Sequence, residues 1–387
     1  MSPKSATRVR LTHHVVALDD GHRVGVSVGG HGVPLVFLHG LGLSGRAYIR
    51  MLSRLAGMGF LVVALDAAGH GVTRDLPRNA ADLAHRVDLT MRTLDALGVK
   101  QAVFMGHSMG GRMIVALAAT APDRVLAAIL LDAAAGAPFD ESIRMPIRSP
   151  RRAIRSLLGA AYDAHGDPLQ LPAPERNRYL RMMSSTLARN VRTPLGLPAA
   201  FRAIVASGDY TPMLETMRER NVPTIVVHGE KDLVVPFDAA VDMAERADGA
   251  LYRVPGAYHS WMLANPRHGA DMMRQLLAAE LGDALRASAS DGCLTCWAEH
   301  LLTEDAMLRR LAAPVDTVGS EPPQHVSLDR LRAGPCRSAR APQRTSSPGR
   351  LRWRRRRRAS VSFSVRRAGK RSPPPRRRGR CCAAAPR

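Results

Sequence analysis

No cysteine occurs before Cys293, and the other four (Cys296, Cys336, Cys381 and Cys382) follow it. An odd number at irregular spacing builds no disulfide framework, and a cysteine-free body says nothing of redox compartment. Cys293 and Cys296 have the spacing of a zinc-ligand pair, but no second pair completes a site, so no metal is implied. No apolar run reaches the length that spans a bilayer. Met1 to Leu11 is polar and basic, without the apolar core of a signal peptide, and the expected location is cytoplasmic. Acidic residues are missing altogether from Arg330 to Arg387, where 21 basic residues stand. The preceding 329 residues hold 35 basic and 33 acidic side chains, so the net charge of +23 belongs to the tail and not to the body.

What is present begins with Val103-Phe104-Met105-Gly106-His107-Ser108-Met109-Gly110-Gly111. An apolar run ends in Gly-x-Ser-x-Gly, and helical spacing (Arg112, Met113, Ile114, Val115, Ala116, Leu117) starts at once. Strand, sharp turn and helix put a serine at the apex, with glycines two residues to either side where the backbone needs room. The free N–H groups of the helix start favour negative charge developing beside the Ser108 hydroxyl.

Before this turn, an Asp19-Asp20-Gly21 signal joins two extended runs, His13 to Leu18 and His22 to Val28, into a hairpin. Pro34 to Leu38 and Phe60 to Leu65 are short, continuously apolar strands. The first leads into His39-Gly40-Leu41-Gly42, a glycine-rich stretch that is either a plain turn or a loop presenting backbone N–H groups. The second leads into Asp66-Ala67-Ala68-Gly69-His70-Gly71, where His70 reads as a loop-packing residue. Helices are predicted over Arg46 to Ala56 and Ala80 to Leu97. Beyond the serine, Val125 to Leu131 is a strand ending at Asp132. From Ala137 to about Asn221 the alternation stops, and helical fragments rich in arginine and methionine take over. Strands resume at Pro223 to His228 and Leu251 to Val254. Gly229-Glu230-Lys231-Asp232 follows the first of these, and Pro255-Gly256-Ala257-Tyr258-His259 follows the second. A helix is predicted over Pro266 to Leu281.

Over residues 13 to 282 these motifs resemble the α/β-hydrolase superfamily. The Asp66-x-x-Gly69-His70-Gly71 match departs from the family pattern at Ala68, where arginine is common. The resemblance implies an α/β-hydrolase fold: a mostly parallel eight-stranded sheet flanked by helices, with a helical cap after strand 6. Residues 1–136 and 221–286 would form the core and 137–220 the cap, with Met145, Met182, Met183, Met213 and Met217 as ordinary core or as a pliable pocket lining. It further implies Ser108 as nucleophile, His259 as base, Asp232 as its orienting acid with Asp132 as the rival, and the N–H groups of Leu41 and Met109 as the oxyanion hole. Each of the three side chains follows a predicted strand, in the order Ser, Asp, His.

The activity so implied is hydrolysis of carboxylic esters of small or apolar substrates. Carbon–carbon bond hydrolase, lactonase and cofactor-free haloperoxidase chemistry share the motifs. The resemblance implies neither metal nor organic cofactor. Residues 287–387 are expected to be a disordered basic tail with one helical fragment, Ala298 to Leu311. Its run Arg354 to Arg358 suits nucleic acid or an anionic membrane; Trp353 and Phe363 could stack on bases, but two aromatics are too few to read a sequence. A solvated appendage or an unselected extension explains the same composition. A reading of another class thus stands beside the enzyme: a hydrolase-like binding protein tethered by this tail. The oligomeric state is not legible.

Overall fold

In a computed structural model, residues 8–144, 168, 171–190, 196–290 and 323–328 are described. A single sheet carries the order β1-β2-β4-β3-β5-β6-β7-β8-β9. Its strands are β1 (Thr12–Ala17), β2 (Arg23–Gly29), β3 (Val33–Leu38), β4 (Phe60–Leu65), β5 (Ala102–His107), β6 (Val125–Leu131), β7 (Thr224–Gly229), β8 (Ala250–Val254) and β9 (Gln324–Val326). Pairing is parallel from β4 through β3 and β5 to β8, and antiparallel for β1 with β2, β2 with β4, and β8 with β9.

The central strands are apolar throughout because both of their faces are covered. Along β3, Val33, Leu35 and Phe37 face one core, which holds α1 (Ile49–Ala56), α9 (Trp261–Ala264), α10 (Pro266–Leu277) and α11 (Glu280–Ser290). Val36 and Leu38 face the other, with α2 (Leu83–Ala96), α3 (Met109–Thr120) and α8 (Phe237–Arg246). Successive side chains of a strand point to opposite faces, so one short run feeds both layers. The chain moves from β3 outward to β4, then back past β3 to β5. The crevice at the carboxyl ends of β3 and β5 is therefore a topological switch point, where open α/β sheets bind ligands.

Between β6 and β7 every described element is helical: α4 (Ala137–Arg144), α5 (Ala173–Asn190), α6 (Gly196–Ala206) and α7 (Thr211–Glu219). Arg112, fully buried on α3, ties this insertion down. It donates to Asp140 at 2.5 Å, to the Ala134 and Gly208 carbonyls at 2.8 Å and to Ser207 Oγ at 2.9 Å, and lies over the Tyr210 ring at 3.6 Å. Of the five methionines, Met217 is fully buried in the core and Met213 packs against it. Met182 and Met183 pack against the opposite core, and Met145 lies outside the described residues.

The sheet has nine strands rather than the expected eight, and the ninth comes from the segment predicted to be disordered. β9 pairs with the open edge of β8, Leu251 opposite Val326. It is fastened by Gln275 Nε2 donating to the Pro323 carbonyl at 2.9 Å and by Arg253 donating to Gln324 at 2.5 Å. The predicted Pro266–Leu281 helix is two helices, α10 and α11, and α11 runs past residue 286. The remainder of the expected tail, including Ala298 to Leu311 and Arg354 to Arg358, lies outside the described residues.

A strand this short contributes about 1–2 kcal/mol through its ladder bonds and cover of Val326. A chain ended at residue 322 should therefore melt about 2–4 °C below one ended at residue 334. Equal melting temperatures by circular dichroism would show that β9 contributes nothing to the sheet.

Candidate active site

Ser108 joins β5 to α3 with φ 54° and ψ −116°, a conformation that non-glycine residues rarely adopt. Its amide donates to the Leu131 carbonyl at 3.0 Å, and its carbonyl accepts from Arg112 at 3.1 Å and Ala134 at 3.0 Å. The flanking glycines are steric necessities. A methyl on Gly110 would lie 2.1 Å from the Leu38 carbonyl oxygen, and one on Gly106 would lie 2.6 Å from the Gly110 backbone.

The loop after β3 is shaped by two buried histidines. His39 donates from Nδ1 to the Gly40 carbonyl at 2.8 Å and accepts the Ala67 amide at Nε2 at 2.9 Å. His70 donates to the Ala68 carbonyl at 3.0 Å and accepts the Gly42 amide at 3.1 Å. Gly40 donates to Tyr48 Oη at 3.3 Å, and Leu43 to the Gly40 carbonyl at 3.1 Å. Among the described residues the amides of Leu41 and Met109 have no partner. Those are the two N–H groups expected to form the oxyanion hole, on the loop and at the first residue of α3. His70 packs its loop as expected and also fixes Gly42.

Asp232 and His259 are brought together across the loops after β7 and β8. His259 Nδ1 lies 2.7 Å from Asp232 Oδ2, while Oδ1 accepts the amides of Val234 and Val235, both at 2.8 Å. Burial would raise the Asp232 pKa, but His259 and the Val235 amide outweigh it and hold the carboxyl below the usual range. The two loops are also joined by the Lys231 amide on the Ala257 carbonyl at 2.8 Å and the Glu230 amide on Val254 at 3.0 Å. Beneath them His107, next to Ser108, has its ring centroid 4.7 Å from that of His259.

Asp132, the rival acid, does something else. Its oxygens accept from the Gly229 amide and from Trp261 Nε1, each at 2.7 Å. One carboxylate thus grips the start of the acid loop and the helix just after His259. Asp132, His228 and Asp232 are close enough to suggest a metal cage. However, all four carboxylate oxygens already face N–H donors, so the donor set fits a hydrogen-bonded hub better than an ion. Sequence reasoning missed the roles of Tyr48, His107, Arg112 and Trp261, and no motif announces them.

The comparisons agree with this architecture. The sequence profile of the alpha/beta hydrolase fold matches residues 33–266, more than half of the chain. The chain belongs to the α/β-hydrolase superfamily. It is 42% identical over 275 residues to a protein of Mycobacterium phage D29 named provisionally as a non-heme haloperoxidase, covering 68% of this chain and 94% of that one. It is 28% identical to a bifunctional esterase/perhydrolase of Acinetobacter calcoaceticus over 58% of this chain and 85% of that protein. An esterase structure from Rhodococcus sp. ECU1013 superposes with a TM-score of 0.53 at 24% identity, covering 70% and 99% of the two chains. No helix among the described residues is long and apolar enough to cross a membrane.

Burial holds His39 at a pKa of about 4 and His70 and His107 at about 3, against an ordinary 6.5. Below pH 6.5 the unfolded chain takes up protons that these folded rings refuse. Their contribution is complete above pH 6.5 and is lost as pH falls towards 3, at roughly 2 kcal/mol per ring by pH 5. Burial raises the carboxyls of Asp66 and Asp140, which act in the opposite sense, so the comparison is made by difference. Between pH 7 and pH 5, His70→Gln should lose about 2 kcal/mol less unfolding free energy in urea than the parent chain. Equal losses would show that His70 is not held neutral.

Proposed function

We propose that this chain is a serine hydrolase that cleaves carboxylic esters of small or apolar substrates through an acyl-enzyme. The observation that carries this is the convergence of a strained Ser108, the Asp232–His259 pair, and the unspent amides of Leu41 and Met109 at one switch point.

Asp232 fixes the tautomer of His259: with Nδ1–H donated to the carboxylate, Nε2 carries no proton and can take one. His259 removes the Ser108 proton as Oγ attacks the ester carbonyl. The oxyanion is met by the N–H groups of Leu41 and Met109, whose alignment is set before substrate arrives. His259, now imidazolium beside Asp232, protonates the leaving alcohol. Water, deprotonated by the same ring, then attacks the acyl-enzyme and Ser108 is released. The described helices between β6 and β7, α4 to α7, would belong to a cap that roofs this crevice and shapes the acyl pocket.

The names of two relatives favour a second use of the same intermediate. Hydrogen peroxide in place of water would convert the acyl-enzyme into a peracid and leave the first half-reaction unchanged.

Ser108→Ala should lower kcat on p-nitrophenyl butyrate by about 10⁴-fold or more and abolish fluorophosphonate labelling, with an unchanged melting curve. Asp232→Asn should lower kcat by about 10⁴-fold, because the His259 ring loses its imposed tautomer. Near-parental hydrolysis by Ser108→Ala would sink the assignment. Peracid formation that rises with peroxide while ester consumption stays constant would support the second use.

A further inference from the structure

The side chain preceding the nucleophile has no role in the chemistry above, yet it is buried at the centre of the site. His107 Nε2 lies 2.8 Å from the backbone oxygen of His259, and Nδ1 lies 2.6 Å from Tyr48 Oη. A carbonyl oxygen only accepts, so Nε2 carries the proton. Burial, with His259 adding to it, keeps the ring neutral, so Nδ1 is bare and the Tyr48 hydroxyl donates to it. Burial also pushes the Tyr48 phenol up, so that proton stays in place. With its proton committed, the hydroxyl oxygen accepts the Gly40 amide at 3.3 Å. The direction of every bond is thereby fixed: Gly40 N–H to Tyr48 O–H to His107 N–H to His259 C=O.

The two ends of this chain are two separate parts of the proposed machinery. Gly40 precedes Leu41, whose amide is one oxyanion donor. His259 is the base. Neither end is held to the other by sequence, since His107 and His259 are 152 residues apart. The packing leaves no slack. A methyl on Gly40 would stand 2.7 Å from His107 Nδ1 and 3.4 Å from Ser108 Cβ. Phe37 stacks on Tyr48 with centroids 4.6 Å apart, and Tyr48 on His107 at 5.7 Å.

We infer that Tyr48 and His107 are positioning residues that lock the oxyanion loop and the backbone of the catalytic base into one unit, acting in series beneath Ser108. The inference rests on the serine-hydrolase reading. Neither residue meets substrate, so breaking the chain should misalign groups that act in the transition state and leave ground-state binding alone.

The test is steady-state hydrolysis of p-nitrophenyl acetate by the parent, Tyr48→Phe, His107→Leu, His107→Gln and the Tyr48→Phe/His107→Leu double variant, with melting curves for each. Tyr48→Phe and His107→Leu should each lower kcat by about 10-fold or more while KM moves less than about threefold. The double variant should be no slower than the slower single one, because both cut the same chain. His107→Gln, whose amide still reaches the His259 carbonyl, should recover most of the kcat lost in His107→Leu. Parental kcat in folded Tyr48→Phe, or rate losses that multiply in the double variant, would overturn the inference. Should His107→Leu not fold, Tyr48→Phe preserves the packing and decides the matter by its kcat alone. A parent chain that neither turns over esters nor labels at Ser108 would instead sink the serine-hydrolase reading, and the inference with it.

Discussion

Helix α3 approaches the end of β3 so closely that a methyl group on Gly110 would stand 2.1 Å from the Leu38 carbonyl oxygen. That contact places the start of α3 over the crevice where the sheet order reverses, beside the His39–Gly42 loop. It also forces the chain to turn within one residue, and Ser108 takes the strain. Holding a serine at positive φ costs about 1–3 kcal/mol and persists only where the surroundings over-determine it. Here three backbone hydrogen bonds to Leu131, Arg112 and Ala134 do so. A relaxed serine would continue the strand, with its hydroxyl lost in a sheet face. In the proposed mechanism the amides of Leu41 and Met109 would then have no nucleophile to serve.

Around that turn the loops are held by neutral histidines rather than by ion pairs. A buried neutral imidazole offers one donor and one acceptor on a rigid ring, so it can join two backbone groups without desolvating a charge. His39 joins the loop after β3 to the loop after β4, and His70 does the same from the other side. His107, through Tyr48, joins the first of these to His259. In the proposed mechanism the buried carboxylate of Asp232 stabilises an imidazolium that exists only during turnover. His228, 3.3 Å from that carboxylate, is kept neutral by burial and so does not compete with His259 as a permanent counter-charge.

Much of this was legible in the sequence because burial on both faces leaves a plain signature. Phe60–Leu65 and Val125–Leu131 could be bounded to the residue. Ser108, Asp232 and His259 could be singled out because each follows such a strand, and the structure brings Asp232 and His259 into contact. β9 was not, since Gln324-His325-Val326 has no apolar alternation and owes its conformation to the open edge of β8. Likewise, the Pro266–Leu281 pattern is one apolar stripe to the eye, but the chain turns after Leu277 to lay α11 along the sheet. The positions of His107 and Tyr48 were visible, one of them inside the motif itself. Their function depends on what lies across the fold, which no local pattern encodes. Asp132 shows the converse: an aspartate at the end of a strand reads as a candidate acid until Trp261 and Gly229 are seen to occupy it.

Arg112 settles how the helical insertion is held. A buried ion pair is a poor source of stability, because desolvation offsets most of the attraction, and an apolar replacement often serves as well. Asp140 bears this out: burial raises its pKa despite a guanidinium 2.5 Å away. What an apolar side chain could not supply is direction. The planar fork reaches Ala134, Asp140, Ser207 and Gly208 at once, joining the start of the insertion and the turn between α6 and α7 to a single point on α3. That point is one helical turn beyond Ser108. The start of the insertion and the turn before α7 are thereby registered to Ser108, so the strain at that turn and the placement of these helices are set by the same short helix.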